Sequence, residues 1–318
     1  MRVLTSLVTF LLGLTWFLLQ PVWASAIKPG LAFEQGFAPE QDLTVWPLQI
    51  AHGYPLVRAQ IGDVQGVLML DTGTPFGLLL NSARVKLSES RFVFSGTAGS
   101  GQKFDVNRAS AMPVLTIHGQ TWATVHGVHA ADLSFIELGT GMGPYLGFIG
   151  ANFFKGTALT LDYARHMAVI QRLNTATGAP LAALPVELSG STPLATLRYR
   201  GSQPNFPVFD AKLGGMPVHV MLDSGNPGAS IDQRWLAELQ HAGAAQRFTH
   251  VDANQTYRLP PLQLGMLAVP VDDVSGYNSS DGVESPCGPN LIKIGFSLLN
   301  RLAVTWNYQL QTMTFFTP

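Results

Sequence analysis

Two aspartates occupy positions where a charge is costly. Asp71 closes the apolar run Val67-Leu68-Met69-Leu70 and opens Thr72-Gly73, while Asp223 closes Val220-Met221-Leu222 and opens Ser224-Gly225. A carboxylate at the end of such a run needs a partner that stabilises it. One Asp-Thr-Gly or Asp-Ser-Gly alone is ordinary turn chemistry. Two of them, each preceded by Met-Leu and followed one residue later by a proline (Pro75, Pro227), call for another reading. Carboxylates brought within a few ångströms cannot both ionise, so a facing pair holds one proton and titrates as a unit. One member then serves as base and the other as acid, the equipment for activating a water against a carbonyl and expelling an amine.

An internal duplication supplies the facing geometry. Residues 55–75 align without a gap on residues 207–227 with 8 identities in 21 positions, among them Gly62/Gly214, Met69/Met221, Leu70/Leu222, Asp71/Asp223, Gly73/Gly225 and Pro75/Pro227. A second block, residues 150–170 on 295–315, pairs Gly150/Gly295, Ala158/Ala303, Thr160/Thr305 and Tyr163/Tyr308. The blocks recur in the same order, so the chain reads as two similar lobes: residues 27–172 with the first Asp loop and 185–318 with the second, joined by a linker at 173–184. A pseudo-two-fold axis between lobes places equivalent residues face to face.

The elements that must carry these loops read mostly as strands. Residues 56–61 and 208–213 alternate, 67–70 and 218–222 are short apolar runs ending in a turn, and 158–170 and 303–316 each read as two strands around a tight turn. The best helix candidate is 232–241, with Trp235, Leu236 and Leu239 on one stripe, Asp232 as N-cap and Gly243 just beyond the end. Residues 81–87 occupy the equivalent place in the first copy.

Composition bounds the class. The 318 residues are 47% hydrophobic and 12% charged, with 32 Gly and 21 Pro, which excludes a disordered chain and argues against a largely helical one. Lys plus Arg (19) nearly cancels Asp plus Glu (20), and no basic run marks a nucleic-acid or membrane surface. Residues 1–26 carry Arg2 as their only charge, an apolar run to Leu19, Pro21 and Ala24-Ser25-Ala26 as cleavage site, the pattern of a signal peptide, with an uncleaved anchor as its rival. The expectation is therefore export to the periplasm or outside the cell, with no membrane association after cleavage. Cys287, the single cysteine, can form no disulfide within the chain, and its Pro and Gly neighbours suit a turn better than a reactive thiol.

The two segments Leu68-Met69-Leu70-Asp71-Thr72-Gly73 and Val220-Met221-Leu222-Asp223-Ser224-Gly225, each followed by an apolar-Gly pair (Phe148-Ile149-Gly150 and Ile294-Gly295), resemble the two half-sites of pepsin-like or retropepsin-like aspartic proteases. The pattern from Gly150 to Asp162-Tyr163 is similar to the bacterial retropepsin-like proteins. The resemblance covers nearly all the mature chain. It implies a mostly β, two-lobed fold with pseudo-two-fold symmetry, Asp71 and Asp223 as catalytic carboxylates, Thr72 and Ser224 bonding across into the opposite loop, and Gly73 and Gly225 permitting the tight backbone and supplying amides. Gly150 and Gly295 would mark the strand behind each loop. No cofactor or metal is implied, and the partner is a peptide or protein in the interlobe cleft, cleaved by a monomer. A catalytically silent binding protein of the same fold is the alternative.

Departures from that pattern are informative. The residue after the second loop glycine is Asn226, where the first copy has Thr74, and Lys293 stands where the first copy has Phe148. That lysine either points to solvent or brings a cation to the site, which would depress the dyad's pKa values. The flap candidate, 92–106, carries Gly96, Gly99 and Gly101 for a mobile tip but no tyrosine. Other signals are weaker. His126 and His129 point to opposite faces of a strand and so do not share a metal, the glycine-rich 139–143 lacks the spacing and lysine of a phosphate loop, and no Gly-x-Ser-x-Gly elbow is present.

Overall fold

The structure is a computed structural model that describes residues 41–97, 102–122, 128–136, 142–189, 191–199, 207–248, 255–277 and 290–317. The expected leader at 1–26, Gly99 and Gly101, His126 and Cys287 lie outside the described residues. Among the described residues no helix is long and apolar enough to cross a membrane.

The described residues form three sheets. The ten-stranded sheet belongs to the first copy and the seven-stranded sheet to the second, and their central strands repeat one another. In the first, Val64–Asp71 runs parallel to Tyr145–Gly150, which is antiparallel to Leu78–Asn81, itself parallel to Val128–Ala131. In the second, Met216–Leu222 runs parallel to Leu291–Ile294, antiparallel to Ala229–Asp232, itself parallel to Leu267–Tyr277. The aligned residues of the duplicated chain thus hold equivalent places in two sheets.

The third sheet is shared. Its order is Leu43–Pro47, Met167–Arg172, Thr157–Asp162, Ala303–Asn307, Thr312–Phe316 and Pro193–Arg198. At its centre Thr157–Asp162 and Ala303–Asn307 pair antiparallel with Thr160 opposite Thr305, whose hydroxyls hydrogen-bond at 2.6 Å. These are identical residues of the repeat, so the pseudo-two-fold axis passes between them. The main core continues from this sheet into both lobes, taking in Trp46, Trp122, Phe153 and Phe154 on one side and Leu222, Leu236, Ile294 and Leu298 on the other. The ring centroids of Trp122 and Phe153 lie 4.7 Å apart and those of Trp46 and Trp122 5.4 Å apart, tilted and edge-on geometries favoured by aromatic quadrupoles.

The local expectations fare well except in one place. The two tight-turn hairpins occur, and the helix at Gln233–His241 is capped by the Asp232 carboxylate, which accepts from the Arg234 amide, while Leu236 and Leu239 are buried. Residues 81–87 form no helix. Amides of Arg84 and Val85 both reach the Asn81 carbonyl in one short turn that does not continue. Asn81 is buried, its Nδ2 donates to the Tyr145 carbonyl, and its Oδ1 accepts from the amides of Ala83 and Leu133. Those bonds tie it to neighbouring chain segments and favour the turn over a helix. Short helical turns after the two strand glycines, Ala151–Phe154 and Phe296–Leu299, carry no periodic signal and were not foreseen.

Candidate active site

Asp71 ends its strand beside Gly150, and Leu222, just before Asp223, pairs with Ile294, just before Gly295. The absence of a side chain at those glycines has a physical reason. A Cβ on Gly150 would land on the Phe76 carbonyl, and one on Gly295 on the Asn226 carbonyl. The strand therefore passes directly behind the loop, and its backbone holds it: Gly150 and Ala151 donate to Gly77 and Thr74, Gly295 and Phe296 to Gly228 and Asn226.

The loops are locked to each other by a reciprocal set of four hydrogen bonds. The Thr72 amide donates to Ser224 Oγ (2.9 Å) and the Ser224 amide to Thr72 Oγ1 (3.0 Å). Thr72 Oγ1 donates onward to the Leu222 carbonyl (3.0 Å) and Ser224 Oγ to the Leu70 carbonyl (2.7 Å). Both hydroxyls are fully enclosed, where a satisfied network is strong and an orphaned member expensive.

That lattice brings the two carboxylates together. A Cβ on Gly73 would collide with the Asp223 carboxyl and one on Gly225 with that of Asp71, so each loop glycine clears space for the opposite aspartate. The amides of Gly73 and Gly225 each donate 2.9 Å to the Oδ1 of their own loop's aspartate. Both residues keep partial access to solvent, but the carboxyls are surrounded by protein. Burial, then the charge of and hydrogen bond with Asp223, hold Asp71 well above the usual carboxylate range, only partly offset by backbone amides. Burial also raises Asp223, opposed by the Lys293 ammonium and by the hydrogen bond from Asp71. Both carboxyls are thus held above the usual range, and the facing pair shares one proton and titrates as a unit.

Several tyrosines that the sequence does not connect with the carboxylates lie near them. Tyr54, at the start of Tyr54–Ile61, lies close enough that both carboxylates, together with burial, raise its pKa. Burial raises the pKa values of the Tyr145, Tyr163 and Tyr308 hydroxyls, and charge adds to it, from both aspartates at Tyr163 and from Asp71 at the other two; none has a hydrogen-bond partner among the described residues. Tyr163 and Tyr308 are the identical tyrosines of the repeat.

The flap candidate is a hairpin, Arg91–Thr97 with Lys103–Ala109, and its aromatic residues Phe94 and Phe104 pack on the cluster that includes Met69 and Phe76. Gly96 is not at a mobile tip. It pairs with Phe104, whose ring fills the space above it. Asn226 turns into its own loop, its Nδ2 donating to Ser230 Oγ and its Oδ1 accepting from Gly228, so it leaves the carboxylates alone. Lys293 is half-buried on the face shared by Met221 and Asp223, its Nζ 4.8 Å from the centroid of the Tyr277 ring, and its charge acts on Asp223. His129 packs tilted against Phe76 with ring centroids 5.0 Å apart, and among the described residues no three His, Cys, Asp or Glu side chains cluster as a metal site.

The sheets and their shared third layer define a pepsin-like acid protease fold. The aspartic proteinase from Irpex lacteus has this fold, with a TM-score of 0.54 over 86% of this chain and 97% of that one at 13% identity. No family model matches the chain, and no curated protein matches it closely in sequence.

Proposed function

We propose that the protein is an exported, monomeric aspartic-type endopeptidase that hydrolyses peptide bonds with Asp71 and Asp223. The observation that carries this reading is the reciprocal Thr72–Ser224 lattice, which holds the loops so that the two carboxyls face one another. Ionised Asp223 takes a proton from a water, which attacks the scissile carbonyl as Asp71 protonates the carbonyl oxygen. The resulting diol returns a proton to Asp71, Asp223 delivers its proton to the leaving nitrogen, and the C–N bond breaks. Both residues end as they began, and no covalent intermediate forms.

The leader-like first 26 residues support export to the periplasm or the exterior, and the duplication supports a site complete within one chain. An extended peptide or protein segment between the lobes is the substrate class, since strand edges and the flap hairpin offer backbone pairing. Thr72, Gly73, Ser224 and Gly225 support the pair without reacting. A diverse peptide library incubated with the mature protein from about pH 3 to about pH 7 tests the reading. Cleavage that disappears in Asp71→Asn and in Asp223→Asn is expected, and folded protein that cleaves nothing would refute it in favour of a binding protein.

A further inference from the structure

The two lobes repeat one another around the carboxylates, yet the residue beside each one differs in kind. Side chains alternate along a strand, so Met69 and Asp71 share a face, as do Met221 and Asp223. On that face Phe148 is the cross-strand partner of Met69 and Lys293 the partner of Met221. Phe148 and Lys293 therefore hold equivalent places beside their aspartates. Phe148 stands edge-on to Tyr145 at 5.6 Å and belongs to the aromatic cluster that also holds Phe94 and Phe104. The corresponding cluster in the second lobe comprises only Val208, Met221 and Leu291 among the described residues.

The lysine is half-buried, and its environment fixes its head. Its Nζ lies 4.8 Å from the centroid of the Tyr277 ring, and its other strand neighbour is Ser230, whose hydroxyl is occupied by Asn226. Among the described residues no carboxylate lies within ion-pair distance of that Nζ. Paired with Met221, it lies on the face of the sheet that carries Asp223, and its field reaches that carboxyl.

A peptide whose scissile bond lies over the pair, on the pseudo-two-fold axis, presents its two flanking residues to equivalent places in the two lobes. We propose that Lys293 is a specificity-determining residue that selects substrates carrying a carboxylate next to the scissile bond, with a large apolar residue on the other side against Phe148. This rests on the cleft taking a peptide as proposed above. The carboxylate is that of an Asp or Glu side chain or of a free chain terminus, and both present the same chemistry to an ammonium. A cation in a partly desolvated site attracts it more strongly than at an exposed surface.

Peptides whose scissile bond is replaced by a non-cleavable reduced amide separate this proposal from the proposed activity. Four would be made, with Phe-Glu, Phe-Gln, Glu-Phe or Gln-Phe around the bond, each with a free and with an amidated C-terminus, and binding measured by calorimetry near pH 6, where glutamate is ionised. In one of the two orders the Glu peptide is expected to bind the wild-type protein about tenfold tighter than its Gln twin, a difference of about 1.4 kcal/mol. The ratio should fall to near one in Lys293→Met and persist in Lys293→Arg. Discrimination that follows only the free C-terminus, and is lost in Lys293→Met, assigns the carboxylate to a chain end. Equal affinities in the wild-type protein, or a ratio unchanged in Lys293→Met, overturn the proposal. Hydrolysis of the parent amides reads the proposed activity separately.

Discussion

The pair of carboxyls is an arrangement that stability alone would not favour. Asp71 is held above its ordinary pKa by burial first and by Asp223 second. A group raised in this way contributes stability that is fully present below its unfolded value, about 3.9, and is lost as pH rises through its folded value. At neutral pH the fold must therefore keep Asp71 protonated or bury its charge beside Asp223, a cost that Asp71→Asn removes without changing shape. The melting temperature of Asp71→Asn should match wild type near pH 3 and exceed it near pH 7, as calorimetry across that range would show; a variant less stable at neutral pH would count against the arrangement. The hydroxyl lattice behaves in the opposite sense. Ser224→Ala orphans the Thr72 amide and the Leu70 carbonyl inside the protein, at a cost of about 1–3 kcal/mol for each buried group, whereas Ser224→Thr keeps the hydroxyl. Denaturant midpoints measure the loss, and Thr72→Val combined with Ser224→Ala should lose less than the singles added, because the partners are shared.

At the scale of elements, His129 ties pH to the strand that anchors the flap hairpin. Val128–Ala131 lies between Leu78–Asn81 and Lys103–Ala109, so it joins the flap to the body of the lobe. Burial first, and Arg108 second, lower the pKa of His129 to about 4. The unfolded chain takes up a proton near 6.5 that the fold resists, so this histidine's stabilisation is complete above pH 6.5 and declines as pH falls toward about 4, by up to about 3 kcal/mol. His129→Leu should flatten the acid side of the stability curve between those values, and a variant that declines as steeply as wild type would contradict it. None of this was legible in the sequence, where His129 is one of eight scattered histidines. The strands carrying the aspartates were legible because the duplication repeats their pattern, and the helix at Gln233–His241 because its cap and stripe are local. Residues 81–87 misled because the bonds that hold Asn81 go to Leu133 and Tyr145, distant in sequence. Tyr54 was missed for the same reason, since its nearness to the carboxyls is created by folding alone.

For the whole molecule, the duplication implied lobes that face one another but not how they are joined. That information resides in the sheet shared by both copies and in a core that runs through it. A boundary spanned by the six-stranded shared sheet and by one apolar cluster couples the lobes, so unfolding in denaturant should be a single transition, coincident by tryptophan fluorescence and far-ultraviolet circular dichroism; two separated transitions would show lobes that unfold independently. Under the proposed function, the same coupling would make the pair of carboxyls one functional unit contributed by both halves of the chain. The most direct test of that claim is kcat/KM on a cleaved peptide for the wild-type protein, Asp71→Asn, Asp223→Asn and the double variant. Residues acting as a unit are grossly non-additive, so each single variant should lose about a thousandfold or more and the double variant no more than either. Losses that multiply in the double variant, or substantial activity in either single one, would contradict the account.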